Sequence, residues 1–152
     1  MFVALLLAAA TPSPAFDPLT FFAGETRGTG RLKVLFRARV PVTVRGTGRR
    51  EGQDVLVLDQ SVVEGDKPPR TRRWHLRRIA PGRYSGTLTD ARGPVTGEIK
   101  GQHLLLGFTT RDGFRIRQVL TPAPDGRSLD NRLTVSRFGI VVARLTERIV
   151  KP

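Results

Sequence analysis

Apolar and polar residues alternate one for one along most of this chain, and glycine, proline and aspartate interrupt the alternation at short intervals. Period two places successive side chains on opposite faces of an extended backbone, so the pattern selects half-buried strands. The stretch from Arg70 to Gly101 carries it most clearly. Arg72, Trp74 and Leu76 alternate with Arg73, His75 and Arg77, and Ala80-Pro81-Gly82 then turns the chain. Tyr84, Gly86 and Leu88 alternate with Ser85, Thr87 and Thr89; after the turn at Asp90–Gly93, Val95, Gly97 and Ile99 resume. Such a meander has an apolar face that the rest of the chain must cover.

The remaining strands follow from the same signal. Leu32, Val34 and Phe36 form a first strand, preceded by Gly24, Gly28 and Gly30, which allow a bend or close backbone contact. Val40, Val42 and Val44 form a second, leading to Gly46-Thr47-Gly48, and Val55–Val63 is rich in β-branched residues. Leu104, Leu106 and Phe108 give another strand, Phe114 and Ile116 one more, and Leu129–Val135 and Ile140–Val150 close the chain. No segment has helical periodicity. About ten short strands with regular turns predict an all-β fold, a single antiparallel up-and-down barrel. Closure removes the exposed edges of an open sheet.

Residues 2–10 are continuously apolar and precede small residues at Ser13 and Ala15. The run is too short to span a bilayer and suits the core of a signal peptide, although no basic residue precedes it. The expected organisation is therefore a signal-like segment, 1–15, and a barrel domain, 16–152, exported to a periplasmic or extracellular compartment. The chain has no cysteine, which rules out disulfides, thiolate metal sites and a lipid-bearing cysteine after the apolar run. The net charge is +13, and among the basic residues only Lys33, Lys67, Lys100 and Lys151 are lysines. Such a balance points to polyanionic partners or to a solvated basic surface.

Several short patterns together resemble one family. They are Phe21-x-Ala23-Gly24-x-Thr26-x-Gly28-x-Gly30, Arg73-Trp74, Tyr84-x-Gly86-Thr87 followed by Asp90, Gly93, Gly97 and Glu98, and Arg137-Phe138-Gly139-Ile140. Their order is similar to that in an uncharacterised, domain-of-unknown-function family of Gram-negative envelope proteins, many of them lipoproteins. The resemblance implies a lipocalin-like barrel and an envelope location, and no activity. The lipid-attachment cysteine common in that family is missing. Arg115–Val119 stands where members tend to carry an acidic, Trp-containing strand.

Small barrels hold one apolar ligand or fill their interior with side chains. Trp74, Tyr84, Phe108 and Phe114, on the apolar faces, are the candidate ligand-binding residues; the alternative is that they simply fill the barrel. Arg73, Arg77, Arg115 and Arg117, on polar faces, are the candidate contacts to an anionic membrane surface or lipopolysaccharide. If their strands were neighbours, they would form one positive stripe. Asp90 and Glu98 are the one carboxylate pair suited to acid–base work, provided both point into one cleft. An ordinary turn aspartate and a surface glutamate explain them better, so no catalytic residue, metal or cofactor is expected. Gly28-x-Gly30 lacks the strand, third glycine and helix of a dinucleotide loop. Nucleic acid is a poor fit, because the aromatics lie on the face opposite the arginines. The expected protein is a monomeric, non-catalytic binder of an apolar or lipid-like ligand.

Overall fold

The computed structural model describes residues 16–152. The signal-like segment 1–15 therefore lies outside the described residues. After a one-turn helix, α1 (Pro18–Phe21), the chain runs through ten strands: β1 (Gly24–Val34), β2 (Val40–Glu51), β3 (Val55–Glu64), β4 (Arg70–Ala80), β5 (Arg83–Leu88), β6 (Ala91–Lys100), β7 (His103–Thr110), β8 (Arg115–Pro122), β9 (Ser128–Arg137) and β10 (Ile140–Val150). Each strand pairs antiparallel with the next, and β1 pairs with β10 from Arg27↔Val150 to Val34↔Ala143. The result is the closed, ten-stranded up-and-down barrel that the alternation predicts.

Two boundaries differ from the sequence reading. Strand β1 begins at Gly24, so Gly24, Gly28 and Gly30 lie within it rather than before it, and Phe36 lies in the turn after it with φ 62°. Likewise β2 runs on through Gly46 and Gly48 to Glu51. Inward glycines here serve close contact: a Cβ on Gly48 would overlap the Phe22 carbonyl, and one on Gly28 would overlap the Glu147 carboxylate, so of a bend and a close contact Gly28 makes the close contact. Strand β6 leaves its ladder with β7 between Arg92 and Thr96, around Pro94, which has no N–H to offer.

The barrel has two different ends. The β2–β3, β4–β5, β6–β7 and β8–β9 turns lie at the closed end, where α1 lies across the opening. Asp17 caps α1, accepting from the Leu19 N–H at 2.9 Å and from the Thr20 hydroxyl at 3.0 Å. Arg78 reaches the same carboxylate at 2.9 Å, and the Lys151 ammonium donates to the Phe21 and Ala23 carbonyls at 2.5 and 2.8 Å. Leu19, Phe21 and Phe22 thereby pack onto Leu56, Leu104 and Leu129, filling this half of the barrel. Because the Phe22 carbonyl presses onto Gly48, Gly48→Ala must displace the plug. The substitution is expected to cost about 1–3 kcal/mol in urea unfolding, the usual cost of overpacking. Gly52→Ala, in an open turn, provides the comparison for a strained φ without overlap.

Candidate functional site

The other half of the barrel is not filled. Its mouth is ringed by the β1–β2, β3–β4, β5–β6, β7–β8 and β9–β10 turns, and it opens into a cavity of about 470 Å³. The walls are apolar, built from Val42, Val62, Ile116, Leu133, Val135 and Leu145 together with Phe108 and Phe114. Arg70 and Asp90 pair across the rim at 3.5 Å.

The floor is polar. Gln60, Arg72, Gln118, Asn131 and Glu147 interrupt the inward apolar series of β3, β4, β8, β9 and β10. The Gln60 side-chain oxygen accepts from both the Arg72 Nε and the Trp74 Nε1 at 2.8 Å, and the Arg72 guanidinium lies 5.6 Å from the Trp74 ring. Asn131 donates to Glu147 Oε1 at 3.0 Å. Glu147 lies along inward Gly28 and Gly30, which leave it room. Among the described residues, three buried acceptors, Gln118 Oε1, Asn131 Oδ1 and Glu147 Oε2, have no partner. Buried acceptors are nearly always satisfied, so water or a bound polar group is required here. Burial pushes the Glu147 carboxyl above its ordinary range, against the pull of Asn131 and Arg72. Burial and the neighbouring Arg70 likewise push Arg72 down.

The four candidate aromatics divide between the halves. Phe108 and Phe114 line the cavity. Trp74 sits just beneath the floor, edge-on to Phe108 at 5.8 Å. Tyr84 belongs to the filled half, beneath Arg78, and does not reach the cavity. Arg73, Arg77, Arg115 and Arg117 are all exposed on the outer wall. They do not form one stripe, because β5, β6 and β7 separate β4 from β8. Arg73 is held by Asp59 at 2.6 Å, whereas Arg115 and Arg117 share a groove of about 770 Å³ along β5–β8 with Arg83 and Arg92. Asp90 lies at the cavity rim and Glu98 on the outer wall near Lys100, so the two carboxylates share no cleft.

Sequence reasoning missed the floor. Its signal was present as a single polar residue in the apolar phase of neighbouring strands: Leu58-x-Gln60-x-Val62, Ile116-x-Gln118-x-Leu120, Leu129-x-Asn131-x-Leu133 and Leu145-x-Glu147-x-Ile149.

Among solved structures, the chain is similar to Rv2717c from M. tuberculosis, with 18% identity, a TM-score of 0.62, and coverage of 92% of this chain and 98% of that one. It is also similar to the S-type phycobiliprotein lyase CPES from Guillardia theta, with 7% identity, a TM-score of 0.68, and coverage of 88% and 90% respectively. At these identities the likeness concerns the fold alone. A search of the curated proteins returned no match. The profile of a family described as proteins of unknown function, DUF3833, matches residues 6–151, and the chain belongs to that family.

Proposed function

We propose that this protein is a non-catalytic carrier that holds one amphipathic, lipid-like molecule in the open half of its barrel, polar end first. The observation that carries the reading is a cavity of about 470 Å³ with apolar walls and a floor of unpartnered acceptors. Ligand pockets usually run to about 300–1,000 Å³ and combine apolar walls with a few convergent polar groups. Among the described residues, the Arg72 Nη atoms have no hydrogen-bond partner, so the floor presents donors beside its acceptors. A head that both donates and accepts, such as a carboxylic acid, amide or hydroxyl, meets both needs, and an acyl chain would lie between Val42, Ile116 and Leu133.

Export to a cell envelope completes the proposal, and it rests on the apolar run at residues 2–10 and on the family resemblance. The wall arginines Arg73, Arg77, Arg115 and Arg117 would form a diffuse cationic coat that attracts anionic surfaces at low salt.

Leu133→Trp tests the reading by filling the cavity from its wall. Native mass spectrometry of protein purified from an envelope fraction is expected to show a bound lipid on the unaltered chain and none on the variant. A fluorescent fatty acid should lose at least about tenfold in affinity, the effect of withdrawing roughly 1.4 kcal/mol of contact. No co-purifying lipid, together with equal probe binding by both proteins, sinks the proposal.

A further inference from the structure

The mouth end carries a second feature that the cavity does not explain. The β1–β2 and β9–β10 turns are neighbours, because β1 pairs with β10 and the Leu35 N–H continues that ladder to the Val142 carbonyl at 3.0 Å. Each turn presents a phenylalanine to solvent: Phe36 is 100% exposed and Phe138 90%, with Leu35 and Ile140 exposed beside them. Both phenylalanines have positive φ, 62° and 50°, a region that bulky residues rarely occupy. Phe138-Gly139 is a two-residue hairpin loop of the kind that strongly prefers Asn-Gly. Neither turn chemistry nor packing accounts for an aromatic at either tip.

The surroundings are cationic. A cleft of about 330 Å³ beside the Phe36 tip is lined by Arg31, Lys33, Arg39 and Arg144, with Leu35 and Phe36 on its edge. Lys33 and Arg144 are direct register partners, an unfavourable pairing of like charges. Among the described residues none of these four cations has a carboxylate within 4.0 Å. The acids of this end, Glu64, Asp66, Asp90 and Asp112, belong to the other three turns. Glu64 and Asp66 flank the β1–β2 turn on its other side, across a groove shared with Arg37 and Ala38, and Asp112 feels Arg137. Arg137 lies 5.0 Å from the ring of Phe114, a cavity-lining residue, and 5.2 Å from that of Phe138, so the patch borders the cavity.

We propose that the β1–β2 and β9–β10 tips are a docking surface for an anionic lipid bilayer. Phe36 and Phe138 enter the headgroup–acyl boundary, and Arg31, Lys33, Arg39 and Arg144 receive lipid phosphates. Aromatic side chains favour that boundary, and each cation near an anionic surface adds to the attraction. Among the described residues, the outer wall exposes Arg27, Arg45, Arg73, Arg117, Arg132 and Arg148 but no aromatic side chain like those of the two tips, so the end of the barrel, not its side, meets the lipid. Docked this way, the mouth faces the membrane, and an amphipathic molecule passes between bilayer and cavity without crossing water. The docking surface goes beyond the carrier reading and does not depend on a loaded cavity.

Vesicle flotation of the full chain tests the proposal, with phosphatidylglycerol in phosphatidylcholine compared against phosphatidylcholine alone. The protein should float with the anionic vesicles only and be released by salt. Replacing Phe36 and Phe138 together by serine should weaken binding by about tenfold for each ring withdrawn. Replacing Arg39 and Arg144 by glutamine should also weaken it, and Arg73→Gln on the wall should change it little. Phe138→Asn separates folding from binding: it suits the turn, so Tm should rise while flotation falls. Leu133→Trp, which fills the cavity, should leave flotation intact, so the docking and carrier readings can fail separately. The proposal is overturned by equal binding to neutral vesicles, or by flotation indifferent to the two phenylalanines. It is overturned equally if the tips pair two copies of the chain in solution, or if the patch binds an oligonucleotide and ignores vesicles.

Discussion

Trp74→Ala is expected to destabilise the barrel by about 3–5 kcal/mol, the range for truncating a buried aromatic. Trp74 is 7% exposed and packs edge-on against Phe108 at 5.8 Å. Its indole N–H shares the Gln60 oxygen with Arg72. Truncation therefore removes the contact between the filled half and the cavity wall, and takes one of two donors from the half-buried Gln60 oxygen. The new void would also join the cavity above it, so a fluorescent fatty acid should bind with altered affinity even where the protein remains folded. Denaturant unfolding with an unchanged m-value would assign the loss to the native state. Trp74→Phe keeps most of the ring and loses only the hydrogen bond, so its cost should be nearer 1 kcal/mol. If alanine costs no more than phenylalanine, Trp74 is not the packing joint between the two halves.

Glu147→Gln should make the protein more stable at neutral pH and remove a downward slope from its pH profile. The sign follows from linkage. The folded-state pKa of Glu147 is raised by burial, so between its unfolded value, near 4.5, and the higher folded value the folded state binds more protons. Stability then falls as pH rises through that window and levels off above it. Glutamine cannot ionise and escapes the penalty. Its NH2 also replaces one of the three unpartnered acceptors with a donor beside the other two, Gln118 Oε1 and Asn131 Oδ1, which favours the variant by about 1–3 kcal/mol. Asp17 runs the other way. Burial raises its pKa, but hydrogen bonds from Thr20, the Leu19 N–H and Arg78 outweigh this and lower it. Its contribution is present above its unfolded value and is lost as pH falls through the folded one. Urea titrations between pH 3 and 8 should thus lose the falling limb in Glu147→Gln and weaken the acid limb in Asp17→Asn. A Glu147→Gln profile parallel to that of the unaltered chain would mean that water already satisfies the carboxylate.

A stabilising effect of Glu147→Gln would also bear on function. Proteins keep costly buried groups mainly where a ligand or a reaction uses them. Glu147 is accommodated by two inward glycines, and Asn131 orients one of its oxygens while the other is left free. An amphipathic head group that donates to that free oxygen would offset the penalty only in the loaded protein. The lipid dependence of Tm should therefore be smaller in Glu147→Gln than in the unaltered chain.

The alternation of apolar and polar residues determined the strands, their antiparallel order and the need for closure, because side-chain direction in a strand is a local property of the backbone. The inward face of β4, with Arg72, Trp74 and Leu76 in one phase, was legible for the same reason. Tertiary structure alone decided which half of the barrel is full. Tyr84 and Phe108 have the same local pattern, but α1 lies against one end and turns Tyr84 into core while Phe108 borders open space. It also decided that Gly28 and Gly48 make room for Glu147 and Phe22, contacts that span more than a hundred residues in one case and about two dozen in the other. The polar floor depends on the height at which five strands bring one polar residue each, and register sets that height. Phe36 and Phe138 read as strand and turn residues, yet barrel closure makes them neighbouring tips at the open mouth. Local sequence specifies which face a side chain takes; only closure of the sheet specifies what stands across from it.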